Sequence, residues 1–87
     1  MQLKDTIEMM TSADYKERFK AEFYQLLIRL DSLTSMIIKW ENNTLDFDPK
    51  CSKETLENQL LFMQGYIGIL RLRAEIEEID LCDTLFK

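Results

Sequence analysis

The chain has 87 residues, a formal charge of −5 and a pI near 4.6, with two cysteines and no histidine. That length bounds one small domain, expected over residues 1–87, which buries too little surface to be comfortably stable alone. A zinc site lacks ligands, a disulfide framework shrinks to the single pair Cys51 and Cys82, and the acidic balance excludes the basic face that a DNA or RNA polymer requires.

Self-association is therefore the expected source of extra stability. No apolar run reaches the roughly 18 residues of a membrane span, and Lys4, Asp5 and Glu8 interrupt the first residues where a signal-peptide core would lie. The expectation is a cytoplasmic protein with no membrane partner, whose reduced thiols pack as small apolar groups.

Taken in order, Leu3, Ile7 and Met10 share one side of a helix of about two turns, too short to persist unless it lies on something. Thr11-Ser12-Ala13-Asp14 breaks it. Thr11 or Ser12 can cap the next helix, and Thr11 with Asp14 has the capping-box spacing. From Tyr15 to about Glu41 no Gly or Pro intervenes, and Phe19, Phe23, Leu26, Leu30, Leu33, Ile37 and Trp40 recur in alternating steps of four and three. This is the seam of a rod roughly 45 Å long that packs lengthwise on another helix.

Asn42 to Pro49 is rich in turn-forming residues and reverses the chain, with Leu45 and Phe47 tucked against the helix ends. A third helix begins near Ser52, a candidate cap, and Leu56, Leu60, Met63, Ile67, Leu70 and Ala74 repeat the four-three seam. The fold class is all-α: a short N-terminal helix followed by a long antiparallel helical hairpin. A second stripe, Phe62, Tyr66, Ile69, Arg73 and Ile76, lies beside the first, while Tyr24, Leu27 and Ile38 lie off the other seam. A two-helix hairpin covers one stripe per helix, so the extra stripes call for the short helix or another subunit. Gly65 and Gly68, each costing about 1 kcal/mol relative to Ala in a helix, imply that another backbone or a ligand comes close. The tail from Ile79 to Lys87 keeps Ile79, Leu81, Leu85 and Phe86 to dock on a neighbour or fray.

Catalysis has little to rest on, because no histidine is available near neutral pH and neither cysteine has such a base adjacent in sequence. Asp46 and Asp48 lack the glycine turn and the later bidentate Glu of a calcium loop. Glu75, Glu77, Glu78 and Asp80 form an acidic run, either a solvated face or a partner for another subunit's cations. Among the cations, Arg18 has Asp14 and Glu22 at helical spacing, Lys20 has Glu17, Arg71 has Glu75 and Arg73 has Glu77, each sufficient for a simple surface pair. Lys16 and Arg29 have none. Arg29 sits among Leu26, Leu30, Leu33 and Met36, a poor place for an unpaired guanidinium unless an anion meets it. Tyr15 and Phe19 offer flat surfaces to a base, and Lys16, Lys20 and the helix start offer contacts to phosphates. This suits a small anionic nucleotide better than a polymer.

The run from Asp14 to Leu33 resembles the Y-x-x-R-x-x-x-E start and following R/K-x-x-x-L of small bacteriophage hairpin proteins, and Met63 to Arg73 looks like their closing M-x-x-Y-x-x-I-L-x-x-R. The family is that of phage anti-CBASS and anti-Thoeris sponges, which sequester cyclic nucleotide signals of bacterial immunity. The resemblance implies a helical hairpin that assembles into dimers and hexamers. It also implies pockets between subunits that hold cyclic di- or trinucleotides or cyclic ADP-ribose isomers without cleaving them. Carried over, Tyr15 stacks a base, Lys16, Arg18, Phe19 and Lys20 lie at the pocket, Arg29 meets phosphate, and Arg73, with Tyr66 beside it, lines a second pocket. The chain departs from relatives that are more polar where Leu27 and Leu30 flank Arg29, which bears on the ligand class. The expected protein is no enzyme and carries no metal or cofactor. The alternative is a helical module that inhibits a host protein through its spare apolar stripe.

Overall fold

Two long helices run antiparallel along the two seams, α2 over Tyr15–Glu41 and α3 over Lys53–Ile76, in a computed structural model that describes residues 1–81. A 3-10 turn, Leu3–Thr6, leads into the short helix α1, Ile7–Met10, and no strand occurs among the described residues. The molecule measures 43 × 24 × 22 Å, so the hairpin is a rod one long helix in length.

The seams are where the core lies. Phe19 and Phe23 of α2 meet Ile67, Leu70 and Ala74 of α3, with Phe23 and Leu70 fully buried, and Ile37 is buried further along α2. Each of those two side chains contributes roughly 1.5–3 kcal/mol by leaving water. Leu26, Leu30, Leu33, Leu56, Leu60 and Met63 continue the seams half-buried. Tyr24 is also buried and lies edge-on to Phe23, with ring centroids 5.7 Å apart. Leu27 and Met9 pack partly against this cluster, so α1 covers part of the extra stripe on α2.

The short N-terminal segment uses a different face from the one its apolar spacing predicts. Leu3, Ile7 and Met10 are exposed, whereas Thr6 is fully buried and Met9 packs on the core. Polar satisfaction explains the choice. Thr6 Oγ1 donates to the Leu3 carbonyl at 2.7 Å and accepts from Gln25 Nε2 at 2.9 Å, and the same Gln25 amide reaches Met10 Sδ at 3.4 Å. A hydroxyl with both roles filled can be buried at little cost.

The helix ends are closed by local chemistry. Asp14, rather than Thr11 or Ser12, caps α2: its Oδ1 accepts from the Lys16 amide at 3.0 Å, while Ser12 Oγ accepts from the Asp14 amide at 3.0 Å. Ser52 caps α3 as expected, accepting from the Thr55 amide at 3.1 Å. Both long helices finish in a left-handed residue, Asn43 with φ 57° and Glu78 with φ 57°. In each case the next amide folds back, Thr44 N–H to the Lys39 carbonyl and Ile79 N–H to the Ala74 carbonyl, both at 2.8 Å. Ile79 is thereby buried in the hairpin core, so this part of the tail docks on its own chain. Leu85 and Phe86 lie outside the described residues. In the reversing loop Leu45 is half-buried but Phe47 is exposed, and Cys51 is an exposed free thiol rather than a packing residue.

Candidate functional site

Because the hairpin is antiparallel, the start of α2 lies beside the end of α3. The amides at the positive end of one helix dipole thus neighbour the carbonyls at the negative end of the other. Four of the residues singled out in the sequence meet there: Tyr15, Lys16, Phe19 and Arg73.

They form a closed polar ring on an aromatic floor. The Tyr15 hydroxyl donates to Glu77 Oε1 at 2.7 Å and accepts from Arg73 Nη2 at 2.9 Å, while Arg73 Nε donates to Glu77 Oε2 at 3.2 Å. The Arg73 guanidinium lies 5.0 Å from the centroid of the buried Phe19 ring, within cation–π range, and the Tyr15 and Phe19 rings are 6.3 Å apart at 55°. Lys16 Nζ donates to the Glu78 carbonyl at 3.4 Å, where the left-handed residue turns that oxygen away from α3.

The ring sets its own protonation. The hydrogen bond from Tyr15, then that from Arg73, holds the Glu77 carboxyl below its usual range despite some desolvation. Glu77 in turn pushes the Tyr15 phenol and the Arg73 guanidinium upward. Near neutrality the group is therefore Glu77 carboxylate, Arg73 cation and neutral phenol.

The other candidates stand around or apart from this ring. Arg18 pairs with neither Asp14 nor Glu22; its Nη1 donates to the Ser12 carbonyl at 2.8 Å and ties α2 to the preceding turn. Lys20 pairs with Glu17 at 3.5 Å, as its spacing predicts. Glu22 instead accepts from the Tyr66 hydroxyl, which raises the Tyr66 pKa, and the Arg73 charge also reaches that hydroxyl, lowering it. Tyr66 and the ring thus belong to one neighbourhood. Arg29 does not: ten residues beyond Phe19, it lies about 15 Å further along α2, exposed and with no partner among the described residues. Arg71 sits over the Phe23 ring at 5.3 Å.

The acidic members, Glu77 and Glu22, were not among the sequence candidates. The spacing of Glu77 from Arg73 signalled their pair, but its bond to Tyr15 spans 62 residues and has no local trace. Among the described residues no cluster of side chains is suited to a metal ion. A shallow groove of about 460 Å³ at the opposite end is lined by residues including Asp31, Lys39, Asp46 and Phe47, with two carboxylates against one cation. It is a poorer site for an anion than the ring.

Among the described residues no helix is long and apolar enough to cross a membrane. The sequence model of one protein family, Sequestin, matches residues 13–76, from just before the α2 cap to the last residue of α3. No curated protein and no solved structure matches the chain. The family name denotes sequestration and agrees with the resemblance to phage sponges.

Proposed function

This chain belongs to the Sequestin family, and we propose that it is a phage anti-defence sponge that captures cyclic nucleotide immune signals in the host bacterial cytoplasm without cleaving them. The ligand class is a cyclic di- or trinucleotide or a cyclic ADP-ribose isomer. The observation that carries the reading is the Tyr15–Arg73–Glu77 ring at the open end of the hairpin. There a half-exposed aromatic face stands beside a guanidinium whose side chain is 43% exposed.

Within one chain Arg73 is already neutralised by Glu77, and Glu17, Glu22 and Glu78 lie close by. A phosphate gains little from a neutral pair unless a further cation arrives. In this reading that cation comes from another subunit, and the working form is a homo-oligomer, a dimer or hexamer, with pockets between chains. Arg29, exposed and without a partner among the described residues, supplies phosphate contact to a neighbour's pocket. Tyr15 and Tyr66 cover bases, and Lys16, Arg18 and Lys20 frame the α2 end.

Native mass spectrometry of the protein with a panel of cyclic di- and trinucleotides and cyclic ADP-ribose isomers tests the proposal. The expected result is an oligomer carrying intact ligand at fixed stoichiometry, abolished by Tyr15→Ala and by Arg29→Ala with helicity retained. An oligomer that ignores the whole panel, or ligand returned cleaved, overturns it.

A further inference from the structure

The outer face of α3 has an organisation that the hairpin does not use. Opposite the buried seam, Leu61, Phe62, Leu72 and Ile76 are 64, 77, 52 and 70% exposed, an apolar stripe about 22 Å long. Gly65 and Gly68 lie in the middle of it. A Cβ built on either glycine meets nothing within 4 Å, so no neighbour among the described residues accounts for the two costliest residues of the helix interior.

The pattern is also symmetric. Leu61, Gly65, Gly68 and Leu72 follow at steps of four, three and four, the same read in either direction. These four positions can therefore each meet their match across a two-fold axis perpendicular to the helix, the operator of an isologous dimer. We propose that a second copy of this chain docks antiparallel on this face. Gly65 of each protomer then lies opposite Gly68 of its partner, where the backbones come closest, and Leu61 lies opposite Leu72. Large side chains at the ends of the stripe then close over a crossing point that has none, which gives ridge-and-groove fit without a clash. The antiparallel sense also opposes the two helix dipoles and keeps the acidic runs from Glu75 to Asp80 at opposite ends of the pair. A parallel pair would superpose those runs.

The pairing goes beyond the ligand reading and stands without it, since a chain that binds no nucleotide would still dimerise this way. In a Cys51→Ser, Cys82→Ser background, chains carrying Leu61→Cys and chains carrying Leu72→Cys are oxidised separately and as a mixture. A covalent dimer that forms in the mixture and not from either chain alone is the expected result. Cross-linking of Leu61→Cys chains with each other, or no cross-link in the mixture, overturns the proposal. Sedimentation supplies the second measurement: Gly65→Leu with Gly68→Leu keeps the helical signal but yields a smaller assembly than the unsubstituted protein. An unchanged mass, or an unsubstituted chain that is monomeric or pairs only with a host protein through this face, is the contrary outcome.

Discussion

Replacing Glu78 by glycine should stabilise the protein, although glycine usually weakens helices. Glu78 follows α3 at φ 57°, where an L side chain crowds its own carbonyl. Left-handed backbone costs an ordinary residue about 1–2 kcal/mol, while the extra freedom of glycine in the unfolded chain takes back about 0.4–1 kcal/mol. Removing a carboxylate from the negative end of a helix adds about 0.3–1 kcal/mol. The sum is a gain of about 1 kcal/mol, or roughly 4–8 °C in the melting temperature of a domain this size. The substitution keeps the backbone groups, so the Ile79 to Ala74 hydrogen bond and the Glu78 carbonyl that Lys16 uses survive, and ligand affinity should not change. Thermal melts followed by circular dichroism at equal protein concentration measure the effect. Asn43→Gly is the internal control: asparagine tolerates the left-handed region far better, so the same change at the end of α2 should move the melting temperature much less. A Glu78→Gly chain that melts lower than the parent, or gains no more than the Asn43→Gly chain, refutes the reasoning.

The polar ring predicts how stability varies with pH. Glu77 titrates below its ordinary 4.5 in the folded chain, so its contribution is present above that value and is lost as pH falls through the folded pKa. Tyr15 titrates above its ordinary 10.0, so its contribution is present below 10.0 and is lost as pH rises through the folded value. Urea midpoints across pH should show a plateau between those limbs, and Tyr15→Phe should flatten both; a full acid limb in that variant would mean that the phenol does not hold Glu77 down. Thr6→Val keeps the shape of a fully buried side chain but leaves the Gln25 amide only the weak Met10 Sδ acceptor. The expected cost is about 1–3 kcal/mol, seen as faster amide exchange over residues 3–10 with the hairpin amides unchanged. Equal loss of protection in α2 and α3 would contradict the separate docking of this segment.

The long helices were legible because a four-three apolar period has few structural solutions: residues such as Phe23, Leu70 and Ala74 fall on the buried line that their spacing assigns. Ser52 was legible for the same reason, since its side chain bonds only three residues on. The face of α1 was not. Leu3, Ile7 and Met10 outweigh Thr6 in hydrophobicity, and only the distant Gln25 makes burial of Thr6 favourable. Arg18 had two carboxylates at helical spacing, yet the Ser12 carbonyl in the bend ahead of α2 lies within its reach and takes the hydrogen bond. At the candidate site, Tyr15 and Arg73 were legible as chemistry. That Glu77 joins them, and that Arg29 stands about 15 Å from Phe19, depends on how the helices dock.

The ring and the buried Ile79 sit at the one end of the hairpin that no loop closes. Contacts next to the reversing loop join residues close in sequence and form early, whereas the bond between Tyr15 and Glu77 needs the whole rod aligned first. This end is therefore the last to close and the first to open. Substitutions at Tyr15 and Glu77 are therefore expected to speed unfolding and leave the folding rate nearly unchanged. A ligand gripping both Tyr15 and Arg73 would act as a clamp on that opening, lengthening the lifetime of the folded hairpin as free ligand rises above its Kd.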